Sequence, residues 1–209
     1  MLKMAKQTGV TLMELLISLA LGASALVAVA SLIGYGIGTN ANLIASARLN
    51  EEVSSVLSLM QRDIRRAGYS GATVATVADP AGSPSAFSDS LQVSEFTGEA
   101  ADSCVLFSYD ADGDGVLDGG VNGDSFGYRL NNQQIEMRQN GSDCEATDWL
   151  DLTDSGVINV TGLNFALTET VESNVTTTTM TITLQAELVA KDQISRQYTH
   201  SFLVRNFDG

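Results

Sequence analysis

The chain opens with a long apolar stretch. Val10–Gly38 covers 29 residues and carries one charge, that of Glu14. About 20 apolar helical residues cross a hydrocarbon core of about 30 Å, whereas the apolar region of a secretory signal peptide has about 7–15. Ala23-Ser24-Ala25 and Ala28-Val29-Ala30 both match signal peptidase sites, so a cleaved secretory leader is one alternative, and a plain membrane anchor is another. The length favours a membrane-spanning helix over residues 10–38.

After Thr39 the pattern changes to that of an amphipathic helix. Apolar residues recur at spacings of four and three, which places them on one face of a helix. The glycine-containing run Gly68–Gly71 then ends the pattern. We therefore predict a helix over residues 39–67 that packs on a folded domain through Val53, Leu57, Met60, Ile64 and Ala67.

Residues 68–209 have the pattern of a β-rich domain. A loop rich in Gly, Ser, Ala and Pro spans Ser70–Ser90, and short runs of β-branched and aromatic residues follow it. The clearest alternation is in Thr176–Val189, and Arg196–Arg205 is its expected partner across a turn near Lys191–Gln193. The fold class predicted is α+β, with a long N-terminal helix packed on an antiparallel sheet. The other predicted strands are Leu91–Phe96, Val105–Tyr109, Ser125–Leu130, Gln134–Arg138, Val157–Val160 and Leu163–Leu167.

The charge is distributed unevenly. The chain has a net charge of −14, and residues 67–209 hold 21 acidic against five basic residues, a net of −16. Such a surface repels nucleic acid and anionic lipid, so no nucleic-acid partner is expected. Lys3 and Lys6 precede the apolar stretch, and by the positive-inside rule they stay in the cytoplasm while the acidic domain crosses the membrane.

Gly9-Val10-Thr11-Leu12-Met13-Glu14-Leu15 resembles the class III signal of type IV prepilins and type II secretion pseudopilins. The resemblance implies that residues 1–9 are a leader, that prepilin peptidase cuts between Gly9 and Val10, and that Val10 is then N-methylated. It also implies that Glu14 neutralises the N-terminal amine of a neighbouring subunit during assembly. Val10 departs from the Phe or Met that this family usually has at that position.

Further segments resemble the PilW-type minor pilins. They are Arg62–Tyr69, Cys104–Asp110, Phe126–Leu130 and Val204-Arg205-Asn206. The resemblance implies a type IV pilin-like fold, and a subunit that primes pilus assembly together with other minor and major pilins. It places the chain in the inner membrane with a periplasmic head, and later in the fibre. The minor pseudopilin J of type II secretion is the alternative relative.

Cys104 and Cys144 are the two cysteines, and both follow the predicted span. In an oxidising compartment such a pair most often forms a disulfide, although two buried free thiols would have the same spacing. Two sulfurs this far apart without a nearby histidine are poor zinc ligands.

An acidic segment lies between the two cysteines. Residues 110–118 match the first nine positions of a calcium loop, with acids at positions 1, 3, 5 and 9, glycine at 6, and a backbone carbonyl at 7. Val121 stands where the loop needs a bidentate glutamate, and Asp124 is the candidate replacement. The sequence predicts a structural Ca²⁺ site, and an acidic turn without an ion is the alternative. The candidate ligands are Asp110, Asp112, Asp114, Val116, Asp118 and Asp124.

No catalytic motif is present. The single histidine, His200, falls in the last predicted strand, and no nucleophile elbow or phosphate-binding glycine loop occurs. We therefore expect that the chain is not an enzyme and needs no catalytic cofactor. A calcium-dependent adhesin displayed on a pilus is the second alternative function.

Overall fold

The computed structural model describes residues 9–204, except residues 80, 89, 121, 122, 139 and 174. The chain divides into two compact units, residues 1–46 and 47–209. A long helix is followed by antiparallel sheets, which confirms the predicted α+β class. The elements are α1 (Leu12–Ile64), α2 (Thr73–Ala78), β1 (Gln92–Ser94), β2 (Cys104–Ser108), β3 (Ser125–Asn131), β4 (Gln134–Met137), β5 (Leu150–Asp151), β6 (Ile158–Glu172), β7 (Val175–Leu188) and β8 (Lys191–Val204).

In the first unit the described chain is almost entirely helical. Thr11 caps the start of α1, because its side-chain oxygen and its carbonyl both accept the N–H of Glu14. The helix continues through Gly34, Gly36 and Gly38 without a break, although each glycine weakens a helix by about 1 kcal/mol relative to alanine. Its large apolar side chains in this unit are exposed. By length and composition α1 could cross a membrane, a property that some secretory signals and soluble core helices share.

In the second unit the remaining part of α1 buries one face. The predicted stripe of five residues is confirmed, since all five are at most 5% exposed. The α-helix ends at Ile64, three residues earlier than predicted, and turns lead to Gly68, whose φ of 78° suits glycine. The buried residues of α1 are Leu49, Val53, Val56, Leu57, Met60 and Ile64.

The first sheet has the strand order β1-β2-β3-β4-β5, and all neighbours are antiparallel. A tight turn joins β3 to β4, because Asn132 and Gln133 both have positive φ between the paired residues Asn131 and Gln134. Long connections join β2 to β3 and β4 to β5. The first of them is the acidic segment predicted to bind calcium.

The second sheet is β6-β7-β8, again antiparallel. The sequence predicted two strands where the structure has β6, and the reason is a register shift between Val160 and Gly162. An extra residue there reverses the alternation, so that Ile158 and Val160 are buried before it and Leu163 and Phe165 after it. In the alternation of apolar and polar residues, this bulge therefore cannot be distinguished from the end of one strand and the start of another.

Two short elements and one turn differ from the prediction. Helix α2 lies inside the predicted loop Ser70–Ser90. It has no buried residue and no side-chain cap, so neither an apolar periodicity nor a capping residue marked it in the sequence. Strand β5 has only two residues. Strand β8 begins at Lys191, inside the predicted turn, and pairs back to Leu188.

Candidate functional site

The acidic loop, residues 109–124, connects β2 to β3 and is anchored at the end of α1. The N–H of Asp110 donates to the carbonyl of Tyr69, and the N–H of Gly68 donates to the carbonyl of Ser108, both at 2.9 Å. The N–H of Tyr109 closes the loop by donating to the carbonyl of Asp124 at 3.1 Å. The loop is thus fixed at its base to the segment that leaves the helix.

Asp110 is the centre of this anchor and is 1% exposed. Its carboxylate accepts three backbone N–H groups, those of Gly71, Gly113 and Gly115, at 2.7, 2.6 and 2.8 Å. Burial by itself raises the pKa of Asp110, but these three donors, with a smaller contribution from the Asp112 side chain, outweigh it and hold the pKa below its ordinary value. Asp110 is therefore a charged acceptor inside the loop.

Two glycines allow the backbone to wrap around that carboxylate. Gly113 and Gly115 have φ of 87° and 81°, a region that other residues rarely adopt. A Cβ on Gly115 would also lie 2.5 Å from the Cβ of Ala72. The turn that the sequence assigned to Gly115 is thus present, and it packs against the residue preceding α2.

Three of the predicted ligands come together. One carboxylate oxygen from each of Asp110, Asp112 and Asp114 lies within 4.8 Å of the others, and the last two side chains are exposed. The side chains also shape the turn, since Asp112 accepts the N–H of Asp114 and Asp114 accepts the N–H of Val116. Exposed acidic groups often lie this close without an ion, so the calcium site remains a prediction.

Asp118 is electrostatically part of the same cluster. Its pKa is raised above the ordinary value, chiefly by the charge of Asp114, then by burial and by the charges of Asp112, Asp124 and Asp110. The loop therefore holds unrelieved negative charge. A divalent cation would relieve it, and so would protonation of Asp118.

Asp124 is 2% exposed, and its carboxylate already has two backbone partners. One oxygen accepts the N–H of Ala111 at 2.8 Å and the other accepts the N–H of Asp118 at 2.9 Å. In the structure Asp124 therefore closes the loop. Val121, at the last position of the calcium pattern, lies outside the described residues.

Cys104 and Cys144 form a disulfide, with an S–S distance of 2.04 Å. The bridge links β2 to the connection between β4 and β5 and packs with Trp149, Leu106 and Ala146. It fixes that connection to the first sheet.

Arg129 adds a second attachment beside the disulfide, and the sequence did not single it out. Its guanidinium is buried, pairs with Glu136 at 2.6 Å, and donates to the carbonyls of Cys144 and Ala146. It also lies 4.5 Å from the ring centre of Phe96 and 4.6 Å from that of Trp149. In the alternation of its strand Arg129 falls on the face opposite to Phe126, Tyr128 and Leu130, where a polar residue is expected, so the sequence pattern contains no signal of its burial.

The end of α1 is tied to the first sheet by two polar contacts. The hydroxyl of Tyr128 donates to Asp63 at 2.7 Å, and Arg66 lies over the ring of Tyr109 at 4.0 Å and donates to its hydroxyl. Burial, followed by the Asp63 contact, raises the pKa of Tyr128, so its hydroxyl stays a donor. Tyr109 in turn stacks on Phe126 with ring centres 4.1 Å apart.

At the N-terminus, Gly9 and Val10 precede α1 as exposed, non-helical residues. Glu14 lies in the first turn of α1, where a carboxylate interacts favourably with the helix dipole. The leader residues 1–8 lie outside the described residues. Cleavage, methylation and the assembly role of Glu14 remain predictions.

Comparison with known proteins matches the chain to a protein family. Searches of curated proteins and of solved structures found no significant similarity. The family model of prepilin peptidase-dependent protein B matches residues 42–204, which is more than half of the chain and includes both sheets. This family is pilus-related, in agreement with the apolar N-terminal helix and the disulfide-containing head. The chain therefore belongs to the prepilin peptidase-dependent protein B family.

Proposed function

We propose that this chain is a minor pilin that is incorporated into type IV pili or primes their assembly. The observation that carries the proposal is the family match over residues 42–204. A helix long and apolar enough to cross a membrane begins at Leu12 in the same chain and supports it. The family name itself implies processing by a prepilin peptidase.

In this proposal prepilin peptidase removes residues 1–9 and Val10 becomes the methylated N-terminus. The exposed helical residues of the first unit anchor the subunit in the inner membrane and later join the fibre core. Glu14, near the start of that helix, pairs with the N-terminal amine of a neighbouring subunit, because an ammonium and a carboxylate buried together cost less than either alone. The head lies in the periplasm, and the partners are other minor and major pilins.

The role is structural and not catalytic. The head is fixed by backbone contacts, a disulfide and a buried ion pair, and these are features of a rigid module that other subunits bind. The PilW-type assignment within the pilus-related proteins follows from the sequence resemblance alone.

The decisive experiment counts surface pili by electron microscopy and measures protein secretion in a strain lacking this gene. We expect far fewer pili, restored by the wild-type copy, with secretion unchanged. Loss of secretion with normal pili would instead assign the chain to the type II secretion pseudopilins. Normal pili that no longer attach to surfaces, with attachment requiring calcium, would instead assign it as an adhesin.

A further inference from the structure

Within the part of the chain that the structure describes, the second sheet has an open outer edge. Strand β8 is its last strand, and among the described residues the backbone of Gln197–Val204 pairs only with β7. The other edge of the sheet is different. There the N–H groups of Val160 and Phe165 donate to the carbonyls of Gln133 and Asp102, both at 2.9 Å, so the β3–β4 turn and the connection between β1 and β2 cover part of β6.

The open edge lacks the features that usually prevent strands from pairing. Natural edge strands are protected by charged residues, proline, bulges or short length. Gln197–Val204 has eight residues, contains no proline and no Lys, Arg, Asp or Glu, and pairs with β7 without a register shift. The shift in β7–β8 pairing lies at the opposite end, between Glu187 and Leu188. This edge is therefore suited to accept another strand.

The sequence of this edge is complementary to itself. In a symmetric antiparallel pair, opposite residues point to the same face, so the two-fold axis lies midway between one residue and the same residue of the second copy. An axis at His200 sets Thr199 opposite Ser201 of the second copy, and Tyr198 opposite Phe202 of the second copy. Hydroxyl pairs and aromatic pairs are both favourable across strands.

One of these pair types already occurs within the sheet. The side-chain oxygens of Thr181 and Ser201 are 2.9 Å apart across β7 and β8, and Gln185 bonds Gln197 at 3.0 Å on the same face. A Thr199–Ser201 contact between copies would continue this row of hydroxyl and amide groups. Arg196 falls opposite Val204 in this register, so no like charges are directly opposed.

We propose that two copies of this chain pair along β8, antiparallel and about a two-fold axis at His200, and so join their three-stranded sheets into one of six strands. An eight-residue strand pair is a small interface. It suffices when both chains are held in one membrane, because a shared anchor raises their effective concentration. This anchor is the membrane helix of the proposed function, whereas the pairing itself does not depend on pilus assembly.

The test uses the full chain in its own membrane, with the native cysteines retained. His200→Cys places a thiol opposite its own copy, so mild oxidation should give a dimer that disappears on reduction. Leu203→Cys is the matched control on the same strand, because Leu203 lies opposite Gln197. It should yield at least tenfold less dimer, and the double variant Gln197→Cys/Leu203→Cys should restore cross-linking.

A second variant separates strand pairing from association of the membrane helices. Thr199→Lys adds a cation on an exposed position, and in the dimer the two cations lie about 8 Å apart across the axis. Introduced with His200→Cys, it should reduce the dimer at least tenfold without changing the circular dichroism spectrum. Equal dimer from His200→Cys and Leu203→Cys, no dimer from either, or a yield insensitive to Thr199→Lys would overturn the proposal. In that case the edge of β8 would bind a different partner, or the membrane helices alone would account for the association of the two copies.

Discussion

The acidic loop shows two roles for side chains of the same type. Asp110 and Asp124 are buried, and both oxygens of each accept backbone N–H groups. Asp112 and Asp114 are exposed, each accepts one N–H within the turn, and they add charge beside the buried pair. The sequence pattern treated all four as ligands, because spacing alone does not show which carboxylate already has partners. The turn at Gly115 could be predicted, since the calcium-loop pattern requires glycine there.

We predict that Asp110→Asn destabilises the head in the absence of calcium, while Asp112→Asn does not. An amide cannot serve as acceptor for all three N–H groups, and it carries no charge. The thermal midpoint of Asp110→Asn, measured in chelator by circular dichroism, should fall by several degrees. The pKa of Asp110 is lowered by folding, so its stabilisation is complete above about pH 4 and is lost as the pH falls further. Equal midpoints for the two variants would show that the hydrogen bonds to Asp110 contribute nothing to the stability of the head.

The calcium prediction is tested separately. If Asp110, Asp112, Asp114 and Asp118 hold the ion, the midpoint should rise with calcium, with a stabilisation of about 2.7 kcal/mol at a hundredfold excess over Kd. Magnesium should do much less, because it requires a tighter octahedron and loses water reluctantly. Asp114→Ala should remove the calcium response and leave the midpoint in chelator nearly unchanged, since losing the charge that chiefly raises the pKa of Asp118 offsets the loss of the hydrogen bond from the N–H of Val116. Identical melting curves in millimolar calcium and in chelator would reduce the loop to an acidic turn.

At the level of elements, strands with strict alternation were predicted well and irregular ones were not. Strand β7 was placed within one residue at each end, because its inward side chains alternate from Met180 to Leu188 without a break. Strand β6 was divided in two at its bulge, and α2 was missed because it buries no side chain. Periodicity reports burial, so an element without regular burial leaves no pattern.

The connection between β4 and β5 depends on Arg129, which leads to a prediction at this scale. Arg129→Met leaves the buried Glu136 without its cation and two carbonyls without a donor, and should cost about 3–5 kcal/mol of unfolding free energy. Arg129→Met/Glu136→Leu should recover a large part of this loss. Urea unfolding of both variants measures the difference. A double variant as unstable as the single one would show that the carbonyl contacts, and not the ion pair, dominate.

The disulfide also attaches the connection between β4 and β5 to the first sheet. Alkylation of the denatured protein should detect no free thiol without reductant and two with it. Cys104 and Cys144 are 40 residues apart, so on the chain-entropy model the bridge should contribute roughly 4 kcal/mol. The variant Cys104→Ser/Cys144→Ser should lose about this amount and should remain foldable through Arg129. Two thiols in the unreduced sample would refute the bridge.

At the scale of the whole molecule, the sequence predicted the order of its parts. An apolar helix, an amphipathic continuation and a β-rich head follow from three successive patterns, and the structure contains a helix and two sheets in that order. The division of the β strands into two sheets could not be predicted, because in both sheets neighbours in sequence pair, and the pattern does not show that β5 and β6 are the pair that remains apart. The predicted dependence on prepilin peptidase, in contrast, rests on one local motif, Gly9–Leu15.

The last prediction concerns this maturation. Val10 should be the N-terminus of the mature protein, because the resemblance to a class III signal implies cleavage after Gly9. Val10 then lies two residues before the helix that begins at Leu12. Intact mass of the membrane-extracted protein should show the loss of residues 1–9 and the addition of one methyl group. Glu14→Ala should still be inserted and cleaved but should enter fibres poorly, whereas Glu14→Asp keeps the charge and should retain part of the incorporation. A mature N-terminus at Ser24, Leu26 or Ser31 would identify an ordinary secretory leader instead. An uncut Met1 would leave a plain membrane anchor, and either result would remove the basis for an assembly role of Glu14.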